Sequence, residues 1–338
     1  MVDLAEKVRF LSDPAAYAGA TERVETRETH MSWIFLTDRR VYKLKKPLRR
    51  PFLDFTSIDS RRHFCEEELR LNRRLAPSTY RAVVPLRVDS SGRLSLDDTG
   101  SVVDWLVEME RLPEDEMLDA RIAAHAVSRG DVERIASLLA GFYAGLPPQL
   151  ADGGAAIEHF VSEHEATRVV LEDAEFALGP RVRTILDRVE AGIVSLRPAI
   201  ERRIAGGRIV EGHGDLRPEH VSLAEPLQII DCLEFSRALR IVDPYDEANH
   251  LGLECEILGA SWIRPLLLDR LETQLGGRPT PELMALYGGF RMLLRARLCL
   301  AHLLDRPVRK PEKWRPLAMG YIALAERETV SLATRAVR

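Results

Sequence analysis

The chain has 338 residues, and its 48 Lys and Arg against 52 Asp and Glu give a formal net charge of −4 at pH 7. A charge this close to zero excludes a chain-wide basic surface for nucleic acid and an acidic disordered tail. Hydrophobic residues make up 46% of the chain, beside 21 Gly and 19 Pro. This composition is typical of a folded globular protein and excludes collagen-like and low-complexity classes.

The cysteines and the apolar stretches predict a cytoplasmic protein. The four cysteines form no C-x-x-C pair, which disfavours a zinc ribbon or a disulfide framework and fits a reducing compartment. The N-terminus carries acidic residues and Pro14, where a signal peptide needs an apolar core. Arginines interrupt the most apolar late stretch, 292–304, so we expect neither a membrane span nor a membrane partner.

Residues 21–110 follow the two-residue alternation of β-strands. Residues 32–37 and 40–46 predict a hairpin, because a polar pair separates two runs of apolar and β-branched residues. Alternation places Lys43 and Lys45 on one face of its second strand. Further on, 81–97 predicts a second hairpin and 101–112 another strand.

A helix is predicted between these hairpins, over about 57–75. At about 100° per residue, Glu68 falls inside the apolar arc of this helix, and Glu66 falls on the solvent side. A carboxylate on a buried stripe is costly unless it is paired. We therefore expect an ion pair between Glu68 and Lys43 or Lys45.

From Pro113 onward the spacing of apolar residues becomes helical, apart from one polar segment over 208–235. The clearest helix is predicted over 129–146, where Ser128 and Asp131 form a capping box. Two more helices are predicted over about 155–178 and 180–205, and helices resume after Pro244. The acidic residues from Glu247 through Glu254 and Glu256 are expected on one solvated helix face, and the alternative is that they line a pocket for a cationic substrate.

The polar segment concentrates side chains that can do chemistry. Loops of this kind often carry catalytic groups, and this one holds five polar or charged residues within eight positions: His213, Asp215, Arg217, Glu219 and His220. An apolar run then ends in Asp231, and Glu234 follows three residues later. Carboxylates at the end of a buried strand suit a hard cation such as Mg²⁺ that bridges phosphates.

The motifs of this segment resemble those of the aminoglycoside phosphotransferases and related small-molecule kinases. HGDLRPEHV (213–221) is similar to their catalytic loop, and IIDCLEF (229–235) is similar to the metal-binding strand that follows it. DPYDEANHL (243–251) resembles the segment that opens their next helix.

The N-terminal part carries the same resemblance. VYKLKKP (41–47) is similar to the strand with the nucleotide lysine, FCEEELRLNRRL (64–75) to the helix with its partner glutamate, and MERLPEDEML (109–118) to the hinge. The matching motifs extend over about residues 20–260 and occur in the same order as in the family. The sequence resembles most an uncharacterised bacterial branch in which some members carry a fused P-loop kinase domain. Because the sequence contains no G-x-x-x-x-G-K-[ST] motif, we expect the stand-alone form.

The resemblance implies an α+β, two-lobed protein-kinase-like fold. Residues 1–112 would form an N-lobe with a small antiparallel sheet and one helix, and 113–338 a larger, mainly helical C-lobe. Asp215 would be the catalytic base. Lys43, as first choice, or Lys45 would bind the nucleotide phosphates, with Glu68 as the partner glutamate. Because the two lysines share a face of the strand, the sequence alone does not decide which of them does so.

The implied cofactors are ATP and Mg²⁺, and the implied metal ligand is Asp231, with Glu234 as a helper. His220 stands where the family has an asparagine that binds metal. Imidazole is a poor ligand for Mg²⁺, so three alternatives remain. The metal is held by Asp231 with Glu219 or Glu234, or His220 bonds a phosphate or water, or the ion is Mn²⁺.

Roles are also expected for His213 and for the stretch 24–32. His213 is expected to brace its loop by packing and hydrogen bonds. The stretch 24–32 contains no glycine, so its phosphate contacts would depend on the hydroxyls or amides of Thr26, Thr29 and Ser32.

These expectations combine into ATP- and Mg²⁺-dependent phosphorylation of a hydroxyl group on a small molecule, with nucleotide and acceptor as the partners and no nucleic acid. The short stretch between Asp231 and the next helices leaves little room for the activation segment of protein kinases. The alternative is a nucleotide-binding module without catalysis. A transition-metal site of His213, Asp215 and His220 would leave the N-terminal part unexplained.

Overall fold

The structure is a computed structural model that describes residues 2–19, 21–50, 53–97, 99–149, 153–304, 308 and 310–332. The chain divides into two compact units, each built from two stretches of chain. The first contains Met1–Ala120 and Glu219–Leu239, and the second contains Arg121–Pro218 and Arg240–Arg338. The stretch 219–239 therefore lies in the first unit, although the sequence boundary after residue 112 placed it with the helical part.

Most of the strands lie in the first unit. In chain order they are β1 (Glu25–Glu28), β2 (Ser32–Leu36), β3 (Arg40–Lys45), β4 (Arg49–Arg50), β5 (Leu53–Asp54), β6 (Tyr80–Val88), β7 (Leu94–Ser95), β8 (Ser101–Glu110), β9 (Val210–Glu211), β10 (Val221–Ser222), β11 (Gln228–Ile229) and β12 (Ile241–Val242). Six of them form one antiparallel sheet in the order β1-β2-β3-β8-β6-β7. The remaining strands form the antiparallel pairs β4-β5, β10-β11 and β9-β12.

The helices of eight or more residues lie mainly in the second unit. In chain order the α-helices are α1 (Leu4–Leu11), α2 (Ile58–Asn72), α3 (Leu118–Ala123), α4 (Arg129–Ala144), α5 (Gly153–Leu171), α6 (Pro180–Ser195), α7 (Arg197–Ala205), α8 (Pro244–Ile257), α9 (Ile263–Leu275), α10 (Pro281–Leu304) and α11 (Pro311–Thr329). The predicted fold class is confirmed: a six-stranded antiparallel sheet occupies the N-terminal part and helices dominate the C-terminal part.

Local sequence explains where the predicted helices begin. Ser57 caps α2 by accepting a hydrogen bond from the amide of Ser60, and Ser128 and Asp131 form the predicted capping box of α4. The helical stretch predicted over about 180–205 is helical but interrupted at Leu196, since α6 ends at Ser195 and α7 begins at Arg197. Pro198 in the first turn of α7 lacks an amide hydrogen and cannot continue the preceding helix.

The sequence reading missed α1. Asp3 and Glu6 form a capping box at its start, and the ammonium group of Lys7 lies 2.8 Å from the buried carboxylate of Asp104 on β8. Arg61 on α2 donates two hydrogen bonds to the same carboxylate. A buried aspartate with two cationic partners thus joins α1, α2 and the sheet.

The sheet separates two apolar layers of the first unit. Leu11 of α1 packs with Leu44, Leu106 and other buried residues of one face, while Cys65 of α2 packs with Val107 of the opposite face. Because side chains alternate along a strand, Lys43 and Lys45 point to the α2 face. Among the described helices, none combines the length and the apolar character needed to cross a bilayer.

Candidate functional site

β3 and α2 bring two lysines to one buried carboxylate. Lys43 Nζ donates to Glu68 Oε1 at 2.8 Å, and Lys45 Nζ donates to Glu68 Oε2 at 2.6 Å. The side chains of Glu68 and Lys45 are 0% exposed, and that of Lys43 is 14% exposed. The predicted ion pair of Glu68 is confirmed, and both candidate lysines take part in it.

Two predicted metal ligands complete this arrangement. Asp231 Oδ1 accepts a hydrogen bond from Lys43 Nζ at 2.8 Å, and Glu234 Oε1 accepts a short one from Lys45 Nζ. The Asp231 side chain is 46% exposed, whereas that of Glu234 is 10% exposed. We call these five residues, Lys43, Lys45, Glu68, Asp231 and Glu234, the lysine-carboxylate cluster.

Mutual attraction keeps Glu68, Lys43 and Lys45 ionised. Burial disfavours the charged form of Glu68, but the ammonium groups of Lys43 and Lys45 outweigh it and hold its pKa below the ordinary value. Burial also disfavours the charged lysines. The carboxylates of Asp231, Glu68 and Glu234 reverse that effect and raise the pKa of Lys43, and Glu234 and Glu68 raise that of Lys45. At neutral pH both lysines therefore carry a proton.

The backbone holds Asp231 in an unusual conformation. Its φ angle is +61°, in the left-handed region that costs free energy for any residue with a Cβ atom. The amide of Asp231 donates to the hydroxyl of Tyr80 at 3.1 Å, and the amide of Cys232 donates to Asn72 Oδ1 at 2.8 Å. Hydrogen bonds from β6 and α2 thus fix the direction of the Asp231 carboxylate.

His220 lies next to this carboxylate. Its Nε2 atom is 3.6 Å from Asp231 Oδ2, beyond the range of a direct hydrogen bond. Within the described residues, no group of three or more His, Cys, Asp and Glu side chains is arranged to hold a metal ion. Mg²⁺ is commonly held by one or two carboxylates together with substrate phosphates and water. Asp231, half exposed, fits such an ion as a single protein ligand.

Two hydroxyl groups of the stretch 24–32 are hydrogen-bonded within the protein. Thr29 Oγ1 donates to the carbonyl of Ser32 and accepts from the amide of Ser32, each at 3.0 Å. The hydroxyls of Thr26 and Ser12 share a hydrogen bond of 3.0 Å. The hydroxyls of Thr26 and Thr29, two of the three residues proposed from the sequence for phosphate contacts, therefore already have partners within the protein.

Asp215 lies in the second unit, on the loop after β9. Arg217 Nε donates to Asp215 Oδ2 at 3.1 Å, and the amide of Asp215 donates to Nδ1 of His213 at 3.3 Å. His213 is fully buried. The bracing role expected of His213 is confirmed by this hydrogen bond.

Glu247 on α8 is a residue that sequence reasoning missed. Its buried carboxylate accepts from the amides of His213 at 3.0 Å and Gly214 at 2.6 Å, and from the Tyr143 hydroxyl at 2.7 Å. A Cβ atom on Gly212 would lie 2.7 Å from Glu247 Oε2, so only glycine fits there. Glu247 therefore fixes the backbone of His213 and Gly214, which directly precede Asp215. The sequence signal that could have identified Glu247 was its position directly after the D-P-Y-D motif of residues 243–246.

The expectation of a solvated acidic face on α8 is wrong, because Glu247 and Glu254 are buried. Glu254 accepts hydrogen bonds from Arg295 Nε at 2.6 Å and from the Tyr321 hydroxyl at 2.6 Å, and lies 3.2 Å from His250 Nε2. Burial disfavours its ionised form, but His250 and Arg295 outweigh this and hold the pKa of Glu254 at about 2. A hydrogen-bonding histidine on α8 and a cationic arginine on α10 thus make the burial of Glu254 tolerable.

Comparison with solved structures identifies the fold. A choline/ethanolamine kinase family protein from Mesorhizobium loti is 16% identical and superposes with a TM-score of 0.57 over 96% of this chain and 95% of that one. A choline kinase from Streptococcus pneumoniae gives 16% identity and a TM-score of 0.54 over 92% and 94%. A spectinomycin phosphotransferase, solved in complex with ADP and spectinomycin, gives 11% and 0.52 over 98% and 99%.

The chain has the fold of the small-molecule kinases. The resemblance predicted from the sequence motifs is thereby confirmed at the level of the fold. The small-molecule kinase fold accounts for the sheet, for the helix that carries Glu68 and for the helical second unit.

Sequence comparison adds relatives of unknown activity. No family model matches the chain. Uncharacterised proteins from Mycobacterium tuberculosis and Mycobacterium bovis are 28% identical over 287 residues, which cover 81% of this chain and 54% of each relative. The chain thus spans about half the length of the curated relatives it matches.

Proposed function

We propose that this protein is a phosphotransferase that uses ATP and Mg²⁺ to phosphorylate a hydroxyl group of a small molecule. The observation that carries the proposal is the lysine-carboxylate cluster, in which Lys43 contacts both Glu68 and Asp231 at 2.8 Å. The cluster lies on a small-molecule kinase fold, whose solved members include a phosphotransferase in complex with ADP. A fixed positive charge beside an exposed carboxylate suits a triphosphate and its metal ion.

Within this proposal, Lys43 binds the nucleotide phosphates. It is the lysine of the cluster that reaches solvent, and its raised pKa keeps it protonated. Asp231 would hold Mg²⁺, whose chemistry when bound is to neutralise charge on the phosphate oxygens. Glu68 orients Lys43 through the 2.8 Å ion pair.

Asp215 is proposed as the catalytic base. Its carboxylate would orient the acceptor hydroxyl and take its proton while the acceptor oxygen bonds to the γ-phosphorus. The bond between the γ-phosphorus and the bridging oxygen breaks, and ADP leaves. His213 and Glu247 hold the loop so that the carboxylate keeps its direction.

One observation favours a second candidate, a nucleotide-binding module without phosphoryl transfer. His220 occupies the position of the metal-binding asparagine, and its imidazole lies 3.6 Å from Asp231. A histidine there supplies a poor ligand for Mg²⁺. Such a module would bind nucleotide through Lys43 and would not depend on Asp215.

Nucleotide binding and ADP release separate these candidates. We expect ATP with Mg²⁺ to raise the melting temperature of the purified protein, and a panel of small hydroxyl compounds to contain at least one that stimulates ADP release. Asp215→Asn should keep nucleotide binding and lower transfer about 100-fold or more. Asp187→Asn, at an exposed site, is the matched control. Absence of any nucleotide-dependent stabilisation would contradict both candidates, and binding with transfer unaffected by Asp215→Asn would contradict the base assignment.

A further inference from the structure

The two lysines of the cluster differ in access to solvent. The side chain of Lys43 is 14% exposed, whereas that of Lys45 is 0% exposed. The ring of Phe55 lies 5.2 Å from Lys45 Nζ and covers it. A nucleotide phosphate must reach the ammonium group that binds it, so Lys43 can meet a phosphate and Lys45 cannot without rearrangement.

Asp231 and Glu234, the two carboxylates of the cluster other than Glu68, also differ in access to solvent. Asp231 is 46% exposed and Glu234 is 10% exposed. Glu234 bonds to Lys45, and a fully buried ammonium group needs carboxylate partners to remain charged. If Glu234 turned to a metal ion, Lys45 would keep Glu68 alone, which already divides its two oxygens between the lysines.

We propose that Lys45 is a positioning residue that acts through Glu68 and Glu234, and that Glu234 is the counter-ion of Lys45 rather than a metal ligand. This inference rests on the proposed function and deepens it. When Lys43 also contacts a phosphate, Glu68 keeps Lys45 as a second cationic partner for its buried carboxylate. Lys43 can then serve the nucleotide without loss of the ion pair that anchors α2 to β3.

The same pairing holds the segment that carries Asp231. Lys45 joins β3 to Glu234, three residues beyond Asp231, while Asn72 fixes the intervening Cys232 amide. Asp231 has left-handed backbone geometry, which persists only where its surroundings enforce it. Lys45 therefore contributes to the direction of the Asp231 carboxylate without touching nucleotide or metal.

Metal affinity tests the role of Glu234. Mn²⁺ binding to the protein with the non-hydrolysable analogue AMP-PNP is measured by electron paramagnetic resonance for the wild type, Glu234→Gln and Asp231→Asn. We expect Glu234→Gln, whose amide oxygen can still accept from Lys45 and hold the segment, to change the Mn²⁺ affinity less than about twofold. Asp231→Asn should weaken it about tenfold or more. Equal weakening by the two variants would overturn the inference. A wild type that binds neither AMP-PNP nor Mn²⁺ would overturn the proposed function itself.

Stability and kinetics test the role of Lys45. Lys43→Met should weaken AMP-PNP binding about tenfold or more and leave the melting temperature within a few degrees. Lys45→Met should lower the melting temperature and kcat, with a smaller effect on the KM for ATP. Lys45→Met/Glu234→Leu should recover at least half of the lost melting temperature, because the buried negative charge that Lys45 balances is removed with it. Loss of AMP-PNP affinity in Lys45→Met equal to that in Lys43→Met, at an unchanged melting temperature, would overturn the inference.

Lys45→Arg gives a readout if Lys45→Met does not fold. It keeps the positive charge and should retain more kcat than the double variant. A value of kcat in Lys45→Arg below that of the double variant would show that charge at this position is not what the site needs, and would also overturn the inference.

Discussion

Lys43 Nζ lies 2.8 Å from Oε1 of Glu68, a carboxylate with no exposure to solvent. The pair joins the third strand of the sheet to α2 and places a permanently charged ammonium group beside Asp231. Its geometry follows from two sequence periods, the alternation along β3 and the helical spacing along α2. The chemistry proposed for this protein depends on that pair.

Removal of the Glu68 charge is expected to destabilise the protein strongly. Glu68→Gln leaves Lys43 and Lys45 without their shared buried carboxylate, which costs about 3 kcal/mol or more in the free energy of unfolding. Glu66→Gln is the control, since Glu66 forms an exposed pair with Arg62 and should change stability by less than about 0.5 kcal/mol. Urea denaturation measures both. Equal effects of the two substitutions would contradict the buried role of Glu68.

Glu247 is expected to matter for catalysis although it lies outside the motif that carries Asp215. Glu247→Gln removes the negative charge and leaves one acceptor oxygen where two now accept from the amides of His213 and Gly214 and from the Tyr143 hydroxyl. The displaced loop should lower kcat about tenfold or more, because small errors in the position of a catalytic group are costly. Glu133→Gln, at an exposed pair with Arg270, should leave kcat unchanged. The prediction fails if Glu247→Gln retains wild-type kcat.

The free energy of unfolding should fall in acid, partly because Glu254 then becomes protonated. Its pKa in the folded protein is about 2, below the ordinary value of 4.5. Below pH 4.5 the unfolded chain binds a proton that the folded protein does not, so the stabilisation from Glu254 is lost as the pH falls from 4.5 toward 2. Glu254→Gln should be less stable at pH 7 and should lose less stability over that interval. Thermal unfolding at a series of pH values measures the difference.

Glu312→Gln provides the matched control for this pH dependence, since Glu312 is exposed. It should follow the wild-type stability curve throughout. A Glu254→Gln curve parallel to that of the wild type between pH 4.5 and 2 would show that Glu254 does not contribute to acid unfolding.

The N-terminal helix should contribute measurable stability. Lys7→Met removes one of the two cations on the buried Asp104, leaving Arg61 as the other. We expect a loss of about 2 kcal/mol, typical of a hydrogen bond to a charged group. Arg9→Met, at an exposed site of the same helix, should have little effect. If chemical denaturation shows the two variants to be equally stable, α1 is not anchored through Asp104.

Local patterns in the sequence were sufficient for the sheet, for α2 and for the ion pair of Glu68. Each depends on residues whose spacing alone determines which face they share. The start of α4 could be predicted for the same reason, because its capping box involves only Ser128 and Asp131, which are three residues apart. The family resemblance supplied the order of these elements, which periodicity by itself does not give.

Contacts between residues distant in sequence could not be predicted. Lys45 meets Glu234 across 189 positions, and Tyr143 meets Glu247 across 104. A buried glutamate such as Glu254 looks like a surface residue in the sequence, because its partner Arg295 lies on another helix. α1 was missed although its capping box of Asp3 and Glu6 is a local signal, and the contact of Lys7 with Asp104 of β8 that anchors it is distant in sequence.

A crystal structure with AMP-PNP and Mn²⁺ tests the central claim most directly. The claim predicts anomalous density for Mn²⁺ within bonding distance of the Asp231 carboxylate, and Lys43 Nζ in contact with a phosphate oxygen. Glu68 should remain paired with Lys45. A nucleotide bound away from Lys43, or Mn²⁺ that contacts neither Asp231 nor the phosphates, would contradict it.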